Sequence, residues 1–386
     1  MADTGAATAG KRRALTGAVL LDLAVSPLFA WDVFTDSLGR DLGVSHALLA
    51  GVFSVGLAAF MLGVLVGGRA ADTFPPRRLA LIALGGTMLG LLGSAVASSV
   101  VVLFLTFGVL VGGSTGLGYA TAVRVAGTVA SGRGLALGLV VSAYAAGTAV
   151  LAPLASALLA AVGRSWTFVV LAGTLGVLLA IAATLVPGAA PTSRRPRDRS
   201  VRPIRPSRPV IALWLAFGLG SAPALAAFAQ AGSLAGDVAV VTLAVVLLNL
   251  GNFAGRLIAG PPLRPHRPAR RTPRQLGAAR ARLHPPGARR ERTPRPGCPA
   301  PARHPIRGAL DPDASSHLGR GPARTLRHHL GLVFTSWGIA GLVAPVGAAT
   351  LAPQLGYDGV FVAFLVVATG AWACVLAFTR LTRSRA

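Results

Sequence analysis

The sequence predicts an all-α integral membrane protein with two similar sets of helices. Of its 386 residues, 53% are hydrophobic and only 13% are charged, a balance that excludes a water-soluble globular domain of this length. Runs of about 20 apolar residues are typical of helices that span a bilayer. We find ten such runs, at residues 14–34, 47–69, 79–98, 100–123, 134–160, 166–186, 210–231, 238–260, 331–351 and 359–378.

Charged residues between the runs predict how the helices are oriented. The net charge is +25, and arginine-rich loops of membrane proteins stay in the cytoplasm. Three basic residues precede the first run, Arg77 and Arg78 follow the second, and seven arginines lie between residues 194 and 208. The connection after the first run carries mainly aspartates, and Arg164, between the fifth and sixth runs, departs from the pattern. We therefore expect a multi-pass protein of the inner (plasma) membrane with both termini in the cytoplasm.

These patterns divide the chain into six segments. They are a cytoplasmic N-terminus (1–13), an N-terminal six-helix half (14–186), a basic cytoplasmic linker (187–209), helices seven and eight (210–260), an Arg/Pro-rich segment (261–330), and helices eleven and twelve with a C-terminal tail (331–386).

An internal repeat relates the two sets of helices. Gly68 and Pro153 are 85 residues apart, and so are Gly260 and Pro345, so that one offset of 192 relates both pairs. The neighbouring text agrees, because "AVLAPLASALL" in the first set resembles "GLVAPVGAATL" in the second. Such repeats are typical of transporters made of two pseudo-symmetric six-helix halves. We interpret Pro153 and Pro345 as helix kinks.

The repeat predicts helices nine and ten after Gly260, but the sequence there is rich in arginine and proline. Residues 261–330 contain 16 arginines and 14 of the 27 prolines. Prolines at this density prevent a helix, and the arginines prevent burial in lipid. We expect a disordered segment in place of the two helices.

Two interpretations of the segment stay open. A one-base shift of the reading frame makes residues 262–267 compatible with Leu-Ser-Asp-Arg-Thr-Gly, which places an aspartate four residues after Gly260, as Asp72 follows Gly68. We interpret the segment as a frameshifted stretch. The alternative is a basic cytoplasmic arm of a membrane-anchored, non-transporting protein, which binds nucleic acid or anionic lipid. The segment contains no aromatic residue, so its binding of nucleic acid would be non-specific.

Several stretches resemble one transporter family. They are "GGRAADTFPPRR" at 67–78, "GLGYATAVRVAG" at 116–127, "RGLALGLVVSAYAAGTAVLAPL" at 133–154, "GNFAGRLIAGP" at 251–261 and "GLVFTSWGIAGLVAP" at 331–345. On this text the chain is similar to the major facilitator superfamily, and within it to the oxalate/formate antiporter-like (monocarboxylate) branch. The resemblance implies the major facilitator fold and transport of a small organic anion by alternating access, without catalysis. Because helices nine and ten are replaced, we expect transport to be impaired.

The resemblance also implies a gate motif between helices two and three. The family carries G-x-x-x-D-x-x-G-R-R/K there. Gly68, Asp72 and Arg77 match it, whereas Pro75 and Pro76 replace the usual glycine and first arginine. In the family these charges hold helix ends together on the cytoplasmic side in one conformation. The alternative is a loop whose charges serve only the topology.

Polar residues within the apolar runs are candidates for substrate contact, because placing them in a bilayer is costly. Asn249, Asn252 and Arg256 are three and four residues apart on one helix face, and an arginine fork suits a carboxylate. Alternatively, Arg256 extends to the cytoplasmic surface. Tyr119 and Tyr144 lie on helices that line the cavity in this family, with packing as the alternative.

Asp22, in the first run, is a candidate proton site or counter-ion, with a structural hydrogen bond as the alternative. The eleventh helix carries no charge, unlike that of the oxalate carrier, so a monocarboxylate or an uncharged solute is favoured over a dicarboxylate. Gly112, Gly116 and Gly147 are interpreted as close helix contacts. We expect a small-molecule substrate and the lipid bilayer as partners, coupling to a proton or a counter-substrate, no cofactor, no metal and no specific nucleic acid.

Overall fold

The computed structural model describes residues 2–128, 133–189, 207–235, 238–259 and 321–383, and all regular structure in these ranges is helical. The all-α prediction is confirmed. The α-helices are α1 (Ala2–Ala24), α2 (Thr35–Leu42), α3 (His46–Ala70), α4 (Pro76–Ala95), α5 (Val100–Leu103), α6 (Gly112–Ala126), α7 (Arg133–Leu185), α8 (Arg208–Ala235), α9 (Val238–Ala259) and α10 (Gly321–Arg383). A 3₁₀ helix (Pro27–Phe34) precedes α2, and a π-helix (Phe104–Val111) joins α5 to α6.

Among the described residues, seven helical stretches are long and apolar enough to cross a membrane. Two of them, α7 and α10, have 53 and 63 residues. At about 1.5 Å per residue they are more than twice as long as the roughly 30 Å hydrocarbon core. Each is therefore long enough to cross twice, which matches the separate apolar runs of the sequence. We call α1–α7 the first set and α8–α10 the second set.

One glycine reverses the chain within each long helix. Gly163 in α7 has φ 74° and ψ 176°, and Gly356 in α10 has φ 68° and ψ 171°, a conformation that is open almost only to glycine. The two glycines follow Pro153 and Pro345 by ten and eleven residues, so the reversals recur with the sequence repeat. Both prolines lie inside helices, and a bend at either one stays a prediction.

The first membrane crossing is interrupted near its middle. The sequence predicts one helix over 14–34, but α1 ends at Ala24 and a fully buried 3₁₀ helix begins at Pro27. Proline has no N–H to continue the hydrogen-bond ladder, so a new helical segment starts there. The Ser26 hydroxyl donates to the Leu23 carbonyl at 2.7 Å, and the Thr148 hydroxyl of α7 donates to the Ser26 carbonyl at 3.1 Å.

Polar contacts fix the two ends of the first set. At the end that we call the linker end, Arg13 Nη2 donates to the Thr184 carbonyl at 3.0 Å and the Arg77 amide donates to the Pro187 carbonyl at 3.1 Å. At the opposite end, called the hairpin end, Arg164 contacts the connections after the first and third crossings. These contacts place the start and the end of the first set at the linker end, as six crossings of alternating direction require. That the linker end faces the cytoplasm stays a prediction.

Glycines let neighbouring helices approach closely in the first set, as the sequence predicts. A Cβ on Gly112 of α6 would lie 2.5 Å from the Gly56 carbonyl oxygen of α3. A Cβ on Gly116 would overlap the Phe60 carbonyl, and one on Gly147 would overlap the Leu23 carbonyl. All three positions therefore require glycine, and the predicted close contacts are confirmed.

Helix α10 of the second set packs closely against α3 of the first. A Cβ on Gly338 of α10 would lie 2.6 Å from Met61 Cγ, and one on Gly341 would lie 2.8 Å from Leu57 Cβ. The described helix α10 begins at Gly321, ten residues before the predicted start at 331. Pro322 suits the first turn of a helix, where a backbone N–H has no partner within the helix. A polar segment therefore precedes the apolar run in the same helix.

Contacts divide the chain into one unit of Met1–Pro261 and Leu326–Ala386 and another of Pro262–Thr325. Of the second unit, the structure describes only the first residues of α10. Residues 321–330 are helical, so the predicted disorder is wrong for this end of the segment. The rest of the segment lies outside the described residues, and with it the predicted replacement of helices nine and ten.

Candidate functional site

A small cavity of about 130 Å³ lies where helices of both sets meet. It brings together four of the predicted site residues, Tyr119, Tyr144, Asn249 and Asn252. The remaining wall consists of aromatic side chains, namely Phe29, Phe60, Phe217, Phe334 and Trp337. The chain has only two asparagines, and both line this cavity.

The two asparagines come from one face of α9. They are three residues apart, so their side chains project in similar directions. Asn249 is buried, and its amide nitrogen donates to the Val245 carbonyl at 2.8 Å, which leaves its carbonyl oxygen and second N–H for the cavity. Arg256 lies one turn beyond Asn252 in the same helix. Its side chain is outside the described part of the structure, so its contact with substrate stays a prediction.

The two tyrosines come from α6 and α7. Their ring centroids are 6.1 Å apart with the planes at 84°, an edge-to-face contact of the kind that aromatic pairs prefer. Phe60 of α3 packs against both rings, with centroids at 5.5 Å from Tyr119 and 6.1 Å from Tyr144. The rings therefore hold one another in place at the cavity wall.

Aromatic contacts between the two sets close the cavity on two sides. Towards the hairpin end, Phe29 meets Phe228 of α8 with centroids 5.0 Å apart. Towards the linker end, Phe60 meets Trp337 of α10 at 5.3 Å, and Trp337 stacks on Phe334 at 5.5 Å. Both layers combine rings from the first and second sets.

Asp22 does not line this cavity. It is fully buried in α1, one turn before the interruption at Ser26. Buried carboxylates beside an unwound stretch of a membrane helix are typical of coupling-ion sites in transporters. Its role as a substrate or proton site stays a prediction.

The residues of the gate motif lie at the linker end. Asp72 Oδ1 accepts a hydrogen bond from Arg124 Nη1 at 2.8 Å, which joins the connection between α3 and α4 to the end of α6. The backbone amide of Arg77 donates to the Pro187 carbonyl. Among the described contacts, the ion pair of Asp72 is with Arg124 and not with Arg77. A Cβ on Gly68 would meet open space. Both partners of the Asp72–Arg124 pair are partly exposed, so the pair contributes on the order of 0–1 kcal/mol.

The sequence alone missed several of these residues. Nothing in the sequence around Arg124 indicates its partner, which in the structure is Asp72. Phe29 and Phe60 could not be distinguished in the sequence, because aromatic residues are common in apolar runs. One available signal was Pro27, since an interrupted membrane helix often marks a transporter site, and Phe29 follows it by two residues.

Comparison with known proteins identifies the family. The profile of the Major Facilitator Superfamily matches residues 17–279. The chain belongs to this superfamily. This match covers the first set and the beginning of the second, and it agrees with the resemblance found in the sequence. No curated protein matches the chain.

Solved structures of peptide transporters share the fold of this superfamily member. The peptide transporter POT in complex with sulfate aligns with a TM-score of 0.61 at 16% identity, covering 97% of this chain and 94% of that one. A mutant of POT in complex with alafosfalin aligns with a TM-score of 0.59 at 16% identity, covering 96% and 93%. At such identity the likeness establishes the fold, and the chain is a multi-pass membrane transporter of the superfamily.

Proposed function

We propose that this superfamily member carries a small organic anion with a single carboxylate by alternating access. The observation that carries the proposal is the central cavity, where both asparagines and two of the three tyrosines meet between the two sets of helices. Ligand sites of transporters lie at the interface of the two repeats. The cavity is thus proposed as the substrate site.

The size of the cavity limits the substrate. An apolar cavity of about 150 Å³ holds one benzene molecule, and the cavity here is about 130 Å³. A solute of about six non-hydrogen atoms fits such a volume, as a two- to four-carbon monocarboxylate does. A dipeptide is too large for it.

The chemistry of the wall favours one carboxylate over two. The asparagine amides and tyrosine hydroxyls donate hydrogen bonds, and the edges of aromatic rings carry partial positive charge. None of the described lining side chains is charged, so a second carboxylate would lose its hydration without gaining a cation. Arg256, one turn from Asn252, is proposed to supply the one balancing charge. On this ground we propose that the chain belongs to the oxalate/formate antiporter-like (monocarboxylate) branch.

Coupling and orientation complete the proposal. We propose exchange against a counter-substrate or co-transport of a proton, with Asp22 as the proton site. The linker end, with its arginines, is proposed to face the cytoplasm of the plasma membrane. Residues 261–330 have an Arg/Pro-rich sequence where the repeat predicts helices nine and ten, and we expect slow transport for this reason.

Uptake into proteoliposomes tests the proposal. Labelled two- to four-carbon monocarboxylates should accumulate, whereas oxalate, a dipeptide and a quaternary ammonium solute should not. Asn252→Ala removes a hydrogen bond to a charged ligand, which contributes about 1.5–3 kcal/mol, so uptake at low substrate should fall about tenfold or more. Tyr144→Phe should lower it similarly, and Tyr357→Phe, at the tyrosine outside the cavity, is the matched control.

Two results would contradict the proposal. Uptake of the quaternary ammonium solute in place of the monocarboxylates would mean that the aromatic faces bind a cation. Equal uptake by the Tyr144→Phe and Tyr357→Phe variants would mean that substrate does not pass through this cavity.

A further inference from the structure

A second and larger groove lies between α8 and α10 and shares no lining residue with the proposed substrate cavity. Its volume is about 380 Å³, within the range of about 300–1,000 Å³ that is typical of ligand sites. Its walls come from residues 214–222 of α8 and from residues 336–351 and 360–367 of α10. The stretch 336–351 rises about 22 Å along the helix axis, so the groove is long and runs with the helices.

The walls of this groove suit hydrocarbon. None of the described side chains that line it is charged. Trp214 Nε1 already donates to the Thr335 hydroxyl at 3.0 Å, and the Ser336 hydroxyl donates to the Val333 carbonyl at 2.7 Å. Since these polar groups are bonded within the protein, a polar ligand would find little to bind, whereas an apolar chain loses nothing on entering.

The repeat shows that the groove is particular to the second set. Leu151 of α7 corresponds to Val343 of α10 by the offset of 192. Leu151 is 5% exposed, whereas Val343, in the groove wall, is 63% exposed. In the first set α4 packs onto α7, where a Cβ on Gly176 would lie 2.5 Å from Met88 Sδ. Among the described residues, no helix covers this face of α10 as α4 covers α7. The face lies in a membrane-spanning stretch, where lipid is the surrounding medium.

A cationic side chain lies beyond one end of the groove. Arg208 begins α8 and is exposed, and it precedes Trp214 by six residues, or about 9 Å along the axis. The depth of one lipid leaflet is about 15 Å, so a chain lying in the groove can place its headgroup near the start of α8. We propose that the groove binds one acyl chain of a phospholipid, with the lipid phosphate at Arg208.

Fluorescence quenching by phospholipid with brominated acyl chains tests this site. The chain has five tryptophans, and variants that retain only one of them, the others being changed to Phe, report on separate positions. The variant with only Trp214 should be quenched nearly as strongly as the one with only Trp372, which is 64% exposed. The variant with only Trp31, which is buried, should be quenched weakly.

Filling the groove separates this site from general exposure to the bilayer. Gly347 lines the far end of the groove and a Cβ there meets open space, so Gly347→Phe should shorten the groove and raise several-fold the phospholipid concentration at which Trp214 is half quenched in detergent. Gly251→Phe, at an equally open glycine of α9 outside the groove, should leave it unchanged. In detergent, Arg208→Gln should raise several-fold the phospholipid concentration at which Trp214 is half quenched, because a charge-assisted contact is lost.

Three outcomes would overturn the proposal. They are quenching of Trp214 as weak as that of Trp31, equal effects of Gly347→Phe and Gly251→Phe, and quenching that appears only when the protein is diluted to monomers. The last would mean that a second copy of the chain covers the groove. An unchanged titration for Arg208→Gln would overturn the placement of the phosphate.

Discussion

Arg164 should be the most sensitive charged position of the first set. Its Nε donates to Asp41 Oδ2 at 3.0 Å and its Nη1 donates to the Ala97 carbonyl at 3.2 Å. One side chain thus joins three connections at the hairpin end. The Arg164 side chain is 15% exposed, whereas that of Asp41 is 47% exposed, so the ion pair is partly screened and the contact with the carbonyl is better protected.

Arg164→Met keeps the aliphatic stem and removes both hydrogen bonds. Bonds to a charged group contribute about 1.5–3 kcal/mol and exposed ion pairs about 0.2–1 kcal/mol. With a half-exposed carboxylate, we expect a loss of about 2 kcal/mol in the free energy of unfolding. Asp41→Asn should lower the free energy of unfolding by about 1 kcal/mol at most. The double variant should show a coupling energy between the two side chains of roughly 0.5 kcal/mol or more.

Unfolding in detergent by increasing SDS measures these differences. The matched control is Arg69→Met, because Arg69 is exposed and its bond among the described residues is to the Leu65 carbonyl of its own helix, at 3.4 Å. If Arg164→Met is no more destabilising than Arg69→Met, or if the coupling energy with Asp41 is zero, then Arg164 does not stabilise the three connections that it contacts.

Three further predictions concern the helix contacts, the gate and the gene. Gly116→Leu should lower the unfolding midpoint in SDS strongly, because a side chain there meets the Phe60 backbone and overpacking costs about 1–3 kcal/mol or more; Gly85→Leu, at an open glycine of α4, should not. Asp72→Asn and Arg124→Gln should change the uptake rate equally, and the double variant should match either single one, whereas additive effects would exclude a shared pair. Sequencing codons 255–335 should reveal two compensating single-base changes, near residues 261 and 328; an unaltered gene would refute the frameshift.

The crossings of the first set could be predicted from sequence because their composition alone is informative in a bilayer. The interruption at Pro27 was signalled by a proline, but the run 14–34 is apolar on both sides of it, so the hydropathy pattern continues across the break. The faces of these helices were harder to predict. Lipid and protein interior are both apolar, so no polar stripe marks the buried side, and Phe29 and Phe60 look like any other phenylalanine.

Asn249 and Asn252 could be predicted for the opposite reason. Amides are rare in apolar runs, so their presence is informative without any structure. Arg164 shows the limit of such reasoning. In the sequence it is a basic residue on the wrong side of a topology rule, and only the positions of Asp41 and Ala97 explain why it is there.

The glycine reversals at Gly163 and Gly356 have a practical consequence for topology mapping. Each connects two crossings with almost no intervening loop, so neither turn can accept an inserted glycosylation site or reporter domain without separating the helices that it joins. Accessibility reporters for the hairpin end belong instead in the connection around Gly43, whose backbone turns with φ 64° and where an added Cβ meets open space.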